Sequence, residues 1–162
     1  MSTSAPGVQA VKEFVGMSIA DRTMQTTWEG PLASGEGQLS EGSSAALDGL
    51  RVTWASRTEQ PGGKTSPEEL AAAAHSSCFA MALALKLGEN NTPPQRLDVQ
   101  STVTLDAVDG VPTIITSRLK VRAQVAGLDA EAFAAVVDEA AALCPVSRLF
   151  AGAQINVDAT LD

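Results

Sequence analysis

The stretch from residue 65 to residue 88 constrains the fold more than any other part of this chain, because it has the start, the length and the end of one long helix. Ser66 is a candidate N-cap, Pro67 suits the first helical position, and Glu69 stands where it can complete a capping box with Ser66. Gly88 predicts the C-terminal stop. The sequence therefore predicts a helix from Ser66 to Gly88.

This predicted helix is apolar or small nearly all round. Between Leu70 and Leu87 its only charged residue is Lys86, so we expect it to be buried on several sides and to lie at the centre of the domain. Alanine and serine make up most of residues 71–77, directly before Cys78. Such small side chains let another backbone come close at that point.

Shorter extended segments and a second helix complete an α+β order of elements. The sequence predicts strands over residues 23–29, 37–40, 50–55, 97–108, 113–125 and 155–161, a tight turn at Asp109-Gly110, a helix between Asp129 and Pro145, and one more turn over residues 146–150. We predict one domain over residues 23–162, preceded by an N-terminal extension over residues 1–22.

Charge and motif content argue against several kinds of partner. Of 162 residues, 19 are acidic and 11 basic, which gives a formal charge of −8 and a pI of about 4.6. Nucleic acids are bound through clustered Lys and Arg, and no such cluster occurs. The apolar runs are interrupted short of the roughly 18 residues of a membrane span, no secretion signal is visible, and no nucleotide fingerprint occurs. We therefore expect a cytoplasmic protein without a cofactor that binds neither nucleic acid nor membranes.

The two cysteines, Cys78 and Cys144, are the main candidates for chemistry. In a reducing compartment they can be inert buried thiols, metal ligands or a redox pair. A reactive thiol needs a lowered pKa, which comes from a nearby cation or from backbone N–H groups. Cys144 could gain such N–H groups if it begins the turn over residues 146–150, whereas Cys78, in mid-helix, would need a cation from elsewhere.

His75 lies three residues before Cys78 and therefore on the same helical face. It could serve as a base, as a metal ligand, or as a packed side chain that donates one hydrogen bond, and the packed role is the favoured interpretation. One histidine and two cysteines cannot fill a four-ligand zinc site without a carboxylate or a second subunit. No metal is therefore predicted.

Glu68 and Glu69 both suit the first turn of the helix, where acidic side chains complement the helix dipole. Because Glu69 is assigned to capping, Glu68 is free for another role. Ten residues separate Glu68 from Cys78, which corresponds to about 15 Å of helical rise and a different face. The two can share a site only if two copies of the helix pack together, with Glu68 of one chain near Cys78 of the other.

Three motifs stand in order along the chain: Thr65-Ser66-Pro67-Glu68-Glu69-Leu70, then His75-Ser76-Ser77-Cys78-Phe79-Ala80-Met81-Ala82-Leu83, then Cys144-Pro145-Val146-Ser147. Together they resemble the OsmC/Ohr family of osmotically inducible and organic hydroperoxide resistance proteins, and Trp28-Glu29-Gly30 and the closing strand resemble its OsmC branch. The resemblance covers about residues 23 to 162. It implies an OsmC-like fold, in which antiparallel sheets wrap around two central helices of an intertwined homodimer.

The resemblance also implies a thiol-dependent peroxidase that reduces organic hydroperoxides, and hydrogen peroxide less well. Cys78 would be the peroxidatic residue and Cys144 the resolving residue, which forms a disulfide with it. Glu68 matches the glutamate of the family's Pro-Glu motif, and Arg57 matches the arginine that such a glutamate can hold through a bidentate pair. A guanidinium beside the thiolate would lower its pKa and stabilise the departing alkoxide.

Other details of the implied site are less closely fixed. The loop over residues 60–64 is one residue longer than the family pattern, so Arg51 and Arg22 are alternatives to Arg57. Phe79 and Met81 would make the surroundings of the peroxidatic thiol apolar and favour organic peroxides. The reductant would be a dithiol such as dihydrolipoamide or a lipoylated protein. The residues themselves also leave open a metal- or ligand-binding stress protein with non-catalytic thiols, and a structural protein with inert cysteines.

Overall fold

The computed structural model describes residues 18–162. Residues 1–17 of the predicted N-terminal extension lie outside this range, so the boundary of the extension stays a prediction. The described elements are, in order, β1 (Gln25–Glu29), β2 (Glu36–Ser40), β3 (Arg51–Val52), α1 (Trp54–Thr58), α2 (Pro67–Glu89), β4 (Arg96–Val108), β5 (Val111–Gln124), α3 (Ala130–Leu143), α4 (Pro145–Leu149) and β6 (Gln154–Leu161). The predicted α+β class is confirmed.

The strands form two three-stranded sheets. In the first, β2 lies between β1 and β3 and is antiparallel to both. In the second, β4 and β5 form the predicted hairpin around Asp109 and Gly110, whose positive φ angles of 51° and 78° suit a two-residue hairpin loop. β6 returns after α3 and α4 and pairs parallel to β5, so the second sheet is mixed.

Helix α2 begins as predicted, with the Ser66 hydroxyl accepting a hydrogen bond from the Glu69 amide at 3.1 Å. The predicted capping box is only half formed, because the Glu69 carboxylate accepts instead from the Thr65 hydroxyl at 2.6 Å. The predicted stop at Gly88 is wrong. The helix runs one residue further, and the chain turns where Asn91 adopts a positive φ of 59°.

The predicted strand over residues 50–55 is also wrong beyond Val52, because α1 begins directly after it. Thr53 caps this short helix: its hydroxyl accepts from the Ser56 amide at 3.0 Å, and the Ser56 hydroxyl accepts from the Thr53 amide at 2.9 Å. This reciprocal pair is a capping box with serine in place of the usual Glu or Gln. Because of this cap, Trp54 is the first residue of a helix, although in the sequence it continues the alternating pattern of the strand.

The core lies between the second sheet and the helices α2 and α3. One side of α2 packs against β4, α3 and α4. The largest fully buried apolar side chains in the core are Phe79, Leu83 and Leu87 of α2, Leu119 and Val121 of β5, Phe133 of α3, and Cys144 at the junction of α3 and α4. This packing fixes α2 relative to the junction of α3 and α4.

The opposite side of α2 has no cover within the described chain. Ala74, Ser77, Met81 and Leu85 follow one another at spacings of three and four residues, and all are exposed, Met81 by 74% and Leu85 by 52%. We call these four residues the open stripe of α2. Cys78 lies at the edge of the stripe and is half-buried.

Among residues 18–162, α2 is the one helix long and apolar enough to cross a membrane, with a mean hydropathy of 1.5. The expectation that every apolar run is too short for a span is therefore wrong for α2. Length and composition are weak grounds for a membrane span, because the core helix of a soluble protein has both. Phe79 and Leu83 of α2 are fully buried in the core, while 28% of the apolar window as a whole is buried within the described residues.

Candidate functional site

The packing of α2 against α3 and α4 brings the two cysteines together. Cys78 is in the middle of α2, and Cys144 ends α3 and begins α4 directly before Pro145. The two thiols lie close enough for each to shift the pKa of the other, and both are free. The structure therefore places the two cysteines in the same region of the core.

The two thiols differ in acidity within a single chain. Burial raises the pKa of Cys78, the Val146 amide opposes this, and the neighbouring Cys144 raises it further. Burial also acts to raise the pKa of Cys144. This effect is outweighed, and the pKa is lowered below its ordinary value, by the hydroxyl and the amide of Ser147, the Cys78 thiol and the Val146 amide. No cation of the described chain takes part in lowering the pKa of Cys78.

A second pair of predicted site residues, Arg57 and Glu68, is assembled by the start of α2. The Ser56 hydroxyl of α1 donates to the Thr65 carbonyl at 2.9 Å, and the Thr65 amide donates to the Arg51 carbonyl at 2.9 Å. These bonds hold α1 against the residues that lead into α2. Arg57 therefore extends over the first turn of α2, where Glu68 lies.

Arg57 and Glu68 form a bidentate ion pair. The Arg57 Nε atom lies 3.0 and 3.1 Å from the two carboxylate oxygens of Glu68, and its Nη2 atom lies 2.6 Å from Oε1. The side chain of Glu68 is 11% exposed and that of Arg57 is 29% exposed. Such a pair fixes the plane of the guanidinium as well as its position.

The two alternative arginines are placed elsewhere. Arg51 pairs with Glu36 at 3.1 Å and is more than half exposed. Arg22 donates to the carbonyl of Asp21 on the surface. Of the three candidates, Arg57 is the one that the structure pairs with Glu68.

Within one chain, the structure does not bring the ion pair to the thiols. Glu68 is in the first turn of α2 and Cys78 is ten residues further along, about 15 Å of helical rise. The four predicted site residues therefore form two halves, Cys78 with Cys144 and Arg57 with Glu68, at separate places on α2.

His75 is buried among polar partners. Its Nδ1 atom lies 2.6 Å from the Ser117 hydroxyl and its Nε2 atom 2.8 Å from the Ser147 hydroxyl, while the ring of Phe150 lies 5.3 Å away. The side chain thus makes two hydrogen bonds instead of the single one expected. Burial lowers the pKa of His75 below its ordinary value, which favours the neutral imidazole.

Metal ligation has no support in the geometry of the described residues. No group of three His, Cys, Asp or Glu side chains within residues 18–162 is placed to hold a metal ion. Both ring nitrogens of His75 are occupied by serine hydroxyls.

The sequence interpretation missed Ser117 and assigned no role to Ser147. Ser117 shares the buried face of β5 with Leu119 and Val121. The signal in the sequence was therefore a serine at a position where the alternation of the strand places a buried side chain. Phe79, which was expected to make the surroundings of Cys78 apolar, is fully buried in the core cluster against which Cys78 packs, so its effect on substrate choice stays a prediction. Met81, in contrast, is exposed beside Cys78.

Residues 60–160 match the family model described as OsmC-like protein. The chain is 40% identical over 134 residues to "Peroxiredoxin OsmC" of Escherichia coli strain K12, covering 83% of this chain and 92% of that protein. It is 35% identical over 107 residues to "Organic hydroperoxide resistance protein-like 2" of Staphylococcus epidermidis, covering 64% of this chain and 70% of that protein. The organic hydroperoxide resistance protein OhrB of Bacillus subtilis has the same fold, with a TM-score of 0.62 at 24% identity over 86% of this chain and 98% of that one.

Proposed function

Because the chain belongs to the OsmC-like protein family, we propose that it is a cysteine-based peroxidase that reduces organic hydroperoxides in the cytoplasm, and hydrogen peroxide less well. The observation that carries this proposal is the proximity of Cys78 and Cys144, two free thiols held by separate elements and close enough for each to shift the pKa of the other. One of them is half-exposed and open to a peroxide, and the other is buried behind it.

The proposed first step takes place at Cys78. Its thiolate attacks the distal oxygen of the hydroperoxide, the O–O bond breaks, and the alkoxide leaves and takes up a proton to become an alcohol. Cys78 becomes a sulfenic acid. The sulfur of Cys144, which gives up its proton, then attacks the sulfur of Cys78, the S–O bond breaks, and hydroxide leaves and is protonated to water. The product is a Cys78–Cys144 disulfide, formed before the sulfenic acid can be oxidised further.

The first step needs a cation that a single chain does not supply to Cys78. Burial and the neighbouring thiol raise the pKa of Cys78 in the isolated chain, and a thiol with a raised pKa is a poor nucleophile at neutral pH. The Arg57–Glu68 pair of a second chain would meet this need. Its guanidinium would lower the pKa of Cys78 and stabilise the departing alkoxide.

The open stripe of α2 supports this homodimer. It leaves apolar and small side chains uncovered beside Cys78, and a second copy of the chain packed there, through its α2 and the residues before it, would cover them. The first sheet also has uncovered surface, since every residue of β1 is exposed and Trp28 is 40% exposed. We propose that these surfaces pack against the second copy, and not against a membrane or nucleic acid.

A small apolar cavity beside Arg57 supports an organic substrate. It has a volume of about 90 Å³, and Trp28, Leu32, Trp54 and Arg57 are among the residues that line it. Next to the guanidinium, an alkyl or aryl group would find an apolar surface while its peroxide oxygens face the charge. The reductant that reopens the disulfide would be a dithiol, such as dihydrolipoamide or a lipoylated protein.

The test is to treat the pure, reduced protein with one equivalent of cumene hydroperoxide and to map its disulfide bonds by mass spectrometry. We expect one equivalent of alcohol and a Cys78–Cys144 disulfide. The Cys78→Ser variant should consume no peroxide, and the Cys144→Ser variant should complete one turnover and then over-oxidise. Both thiols left free in the parent protein, or equal peroxide consumption by Cys78→Ser, would contradict the proposal.

A further inference from the structure

Behind the two thiols, a chain of hydroxyl and imidazole groups runs through the core. The Ser101 hydroxyl lies 3.2 Å from that of Ser117, the Ser117 hydroxyl lies 2.6 Å from His75 Nδ1, and His75 Nε2 lies 2.8 Å from the Ser147 hydroxyl. The four residues come from β4, β5, α2 and α4. Four elements thus contribute one side chain each to a single connected chain.

This series of hydrogen-bonded side chains begins deep in the protein and ends near its surface. His75 and Ser117 are fully buried, Ser147 is 8% exposed, and Ser101 is only half-buried. Every buried side-chain nitrogen and oxygen within residues 18–162 has a hydrogen-bond partner. The four side chains therefore form a fully connected hydrogen-bond network in an apolar core, in which each hydrogen bond depends on its neighbours.

The buried end of this hydrogen-bonded chain lies close to the thiol of Cys144. Ser147 stands three residues after Cys144 in the turn of α4, and its hydroxyl is one of the groups that lower the pKa of that thiol. Cys144 itself is fully buried, so a proton that leaves its sulfur has no direct access to water. The proton therefore needs a route from the core to solvent.

Building on the peroxidase function, we propose that Ser147, His75, Ser117 and Ser101 form a proton relay from the Cys144 thiol to the surface. In this scheme His75 is a positioning residue of the resolving step and does not touch the peroxide. The relay works on the second half of the reaction only. Sulfenic acid formation at Cys78 does not depend on it.

The proton steps balance along the relay. Before the resolving step, the Cys144 thiol donates to Ser147, Ser147 donates to His75 Nε2, His75 Nδ1–H donates to Ser117, and Ser117 donates to Ser101. As the Cys144 sulfur attacks the sulfenic acid, each proton moves one bond along, and Ser101 releases one to water.

The hydroxide that leaves the sulfenic acid takes a proton from solvent and becomes water, so no net charge builds up in the core. The imidazole changes from the Nδ1–H to the Nε2–H tautomer and remains neutral throughout. Reduction of the disulfide by a dithiol returns the proton to Cys144 along the same groups.

The surroundings of His75 confine the proton to this path. The ring is faced by Ser147 of α4, by Phe150 directly after α4 and by Ser117 of β5, and the nearest titratable group beyond Ser147 is Cys144, whose pKa Ser147 lowers. None of the ion pairs within residues 18–162 includes His75. Because burial lowers its pKa, the imidazole passes a proton on and does not retain it.

The first test needs no peroxide, so its outcome does not depend on the peroxidase function. The Cys144 thiolate is titrated by its ultraviolet absorbance in the Cys78→Ser variant, with and without Ser117→Ala. Ser117 does not touch Cys144, but its hydroxyl can donate to His75 Nδ1 and so hold the tautomer that donates to Ser147. Loss of that hydroxyl should raise the pKa of Cys144 by about one unit.

Two matched variants separate the relay from a general loss of packing. Val121→Ala truncates a fully buried side chain on the same face of β5 and should leave the pKa of Cys144 unchanged. Ser117→Thr keeps the hydroxyl and should restore the parent value. The relay is refuted if Ser117→Ala titrates like the parent, or if Val121→Ala raises the pKa of Cys144 equally.

The second test follows the two halves of the reaction separately with one equivalent of cumene hydroperoxide. In Ser117→Ala, trapping should show sulfenic acid at Cys78 at the parent rate, while disulfide closure should slow by about a hundredfold and lose its solvent isotope effect. Closure at the parent rate with an unchanged isotope effect would overturn the relay. Absence of sulfenic acid in the parent would instead contradict the peroxidase function, and the thiolate titration would still decide on the relay.

Discussion

The guanidinium of Arg57 meets the carboxylate of Glu68 along its Nε and Nη2 edge, at distances of 2.6 to 3.1 Å. The pair joins α1 to the first turn of α2 through Nε and Nη2, and the Nη1 amino group of the guanidinium takes no part in it. In the proposed dimer, this face of Arg57 would be directed at the partner's thiolate.

We expect Glu68→Gln to slow the reduction of cumene hydroperoxide by about a hundredfold, because a guanidinium displaced by about 1 Å loses its alignment with the reacting atoms. Glu69→Gln is the matched control, since Glu69 belongs to the same turn but binds the Thr65 hydroxyl instead of Arg57. The measurement is kcat/KM for each variant. Equal losses in the two variants would show that the charge of the turn matters and the ion pair does not.

A mixed dimer tests whether the site combines residues of two chains. We expect Arg57→Ala and Cys78→Ser homodimers to be inactive, while a heterodimer of the two recovers about half of the parent rate, because one of its two sites is complete. The heterodimer is purified through two different affinity tags and its peroxide consumption is measured. If Arg57 acted on Cys78 of its own chain, the heterodimer would have no complete site and would stay inactive.

Met81→Glu should weaken the dimer, because it places an unpaired charge in the open stripe of α2. We expect the dissociation constant to rise by at least about a hundredfold, as measured by sedimentation and light scattering. Ala135→Glu adds the same charge on the exposed face of α3 and is the control. A dimer that tolerates Met81→Glu as well as Ala135→Glu would place the subunit contact elsewhere.

Stability should fall as the pH drops through the ordinary pKa of histidine, about 6.5. Burial lowers the pKa of His75 in the folded state, so below about pH 6.5 the unfolded chain binds a proton that the folded chain does not. Above that pH the contribution is constant. The urea midpoint should therefore decrease between about pH 7 and about pH 5.5.

His75 is the single histidine of the chain, which makes its variant a direct control. His75→Gln keeps hydrogen-bonding groups but cannot titrate, so its urea midpoint should change much less over the same range. A parallel decrease in His75→Gln would assign the pH dependence to carboxylates.

The parts of the fold that the sequence predicted well have local signals. The Ser66 cap and Pro67 fix the start of α2, Asp129 caps α3 by accepting from the Ala132 amide at 2.8 Å, and Asp109-Gly110 fixes the hairpin. In each case a few neighbouring residues carry the necessary conformational preference.

The parts that could not be predicted depend on tertiary packing or on short elements. Helix α1 has five residues, too few for a helical pattern to stand out against the strand before it. The proximity of Cys78 and Cys144 depends on how the junction of α3 and α4 packs against α2. The partners of His75 come from β5 and α4, and the sequence around His75 gives no sign of them.

The spacing of Glu68 and Cys78 gives the alanines near the start of α2 a place in the symmetry of the proposed dimer. If each glutamate approaches the other chain's cysteine, the two helices run antiparallel, and a twofold axis passes midway between the two positions, beside Ala73. Ala73 is exposed, and alanines flank it on both sides. The symmetry axis would thus cross where the helices can come closest, and the two peroxidatic sulfurs would lie about 15 Å apart along the helix direction, one on each side of the axis.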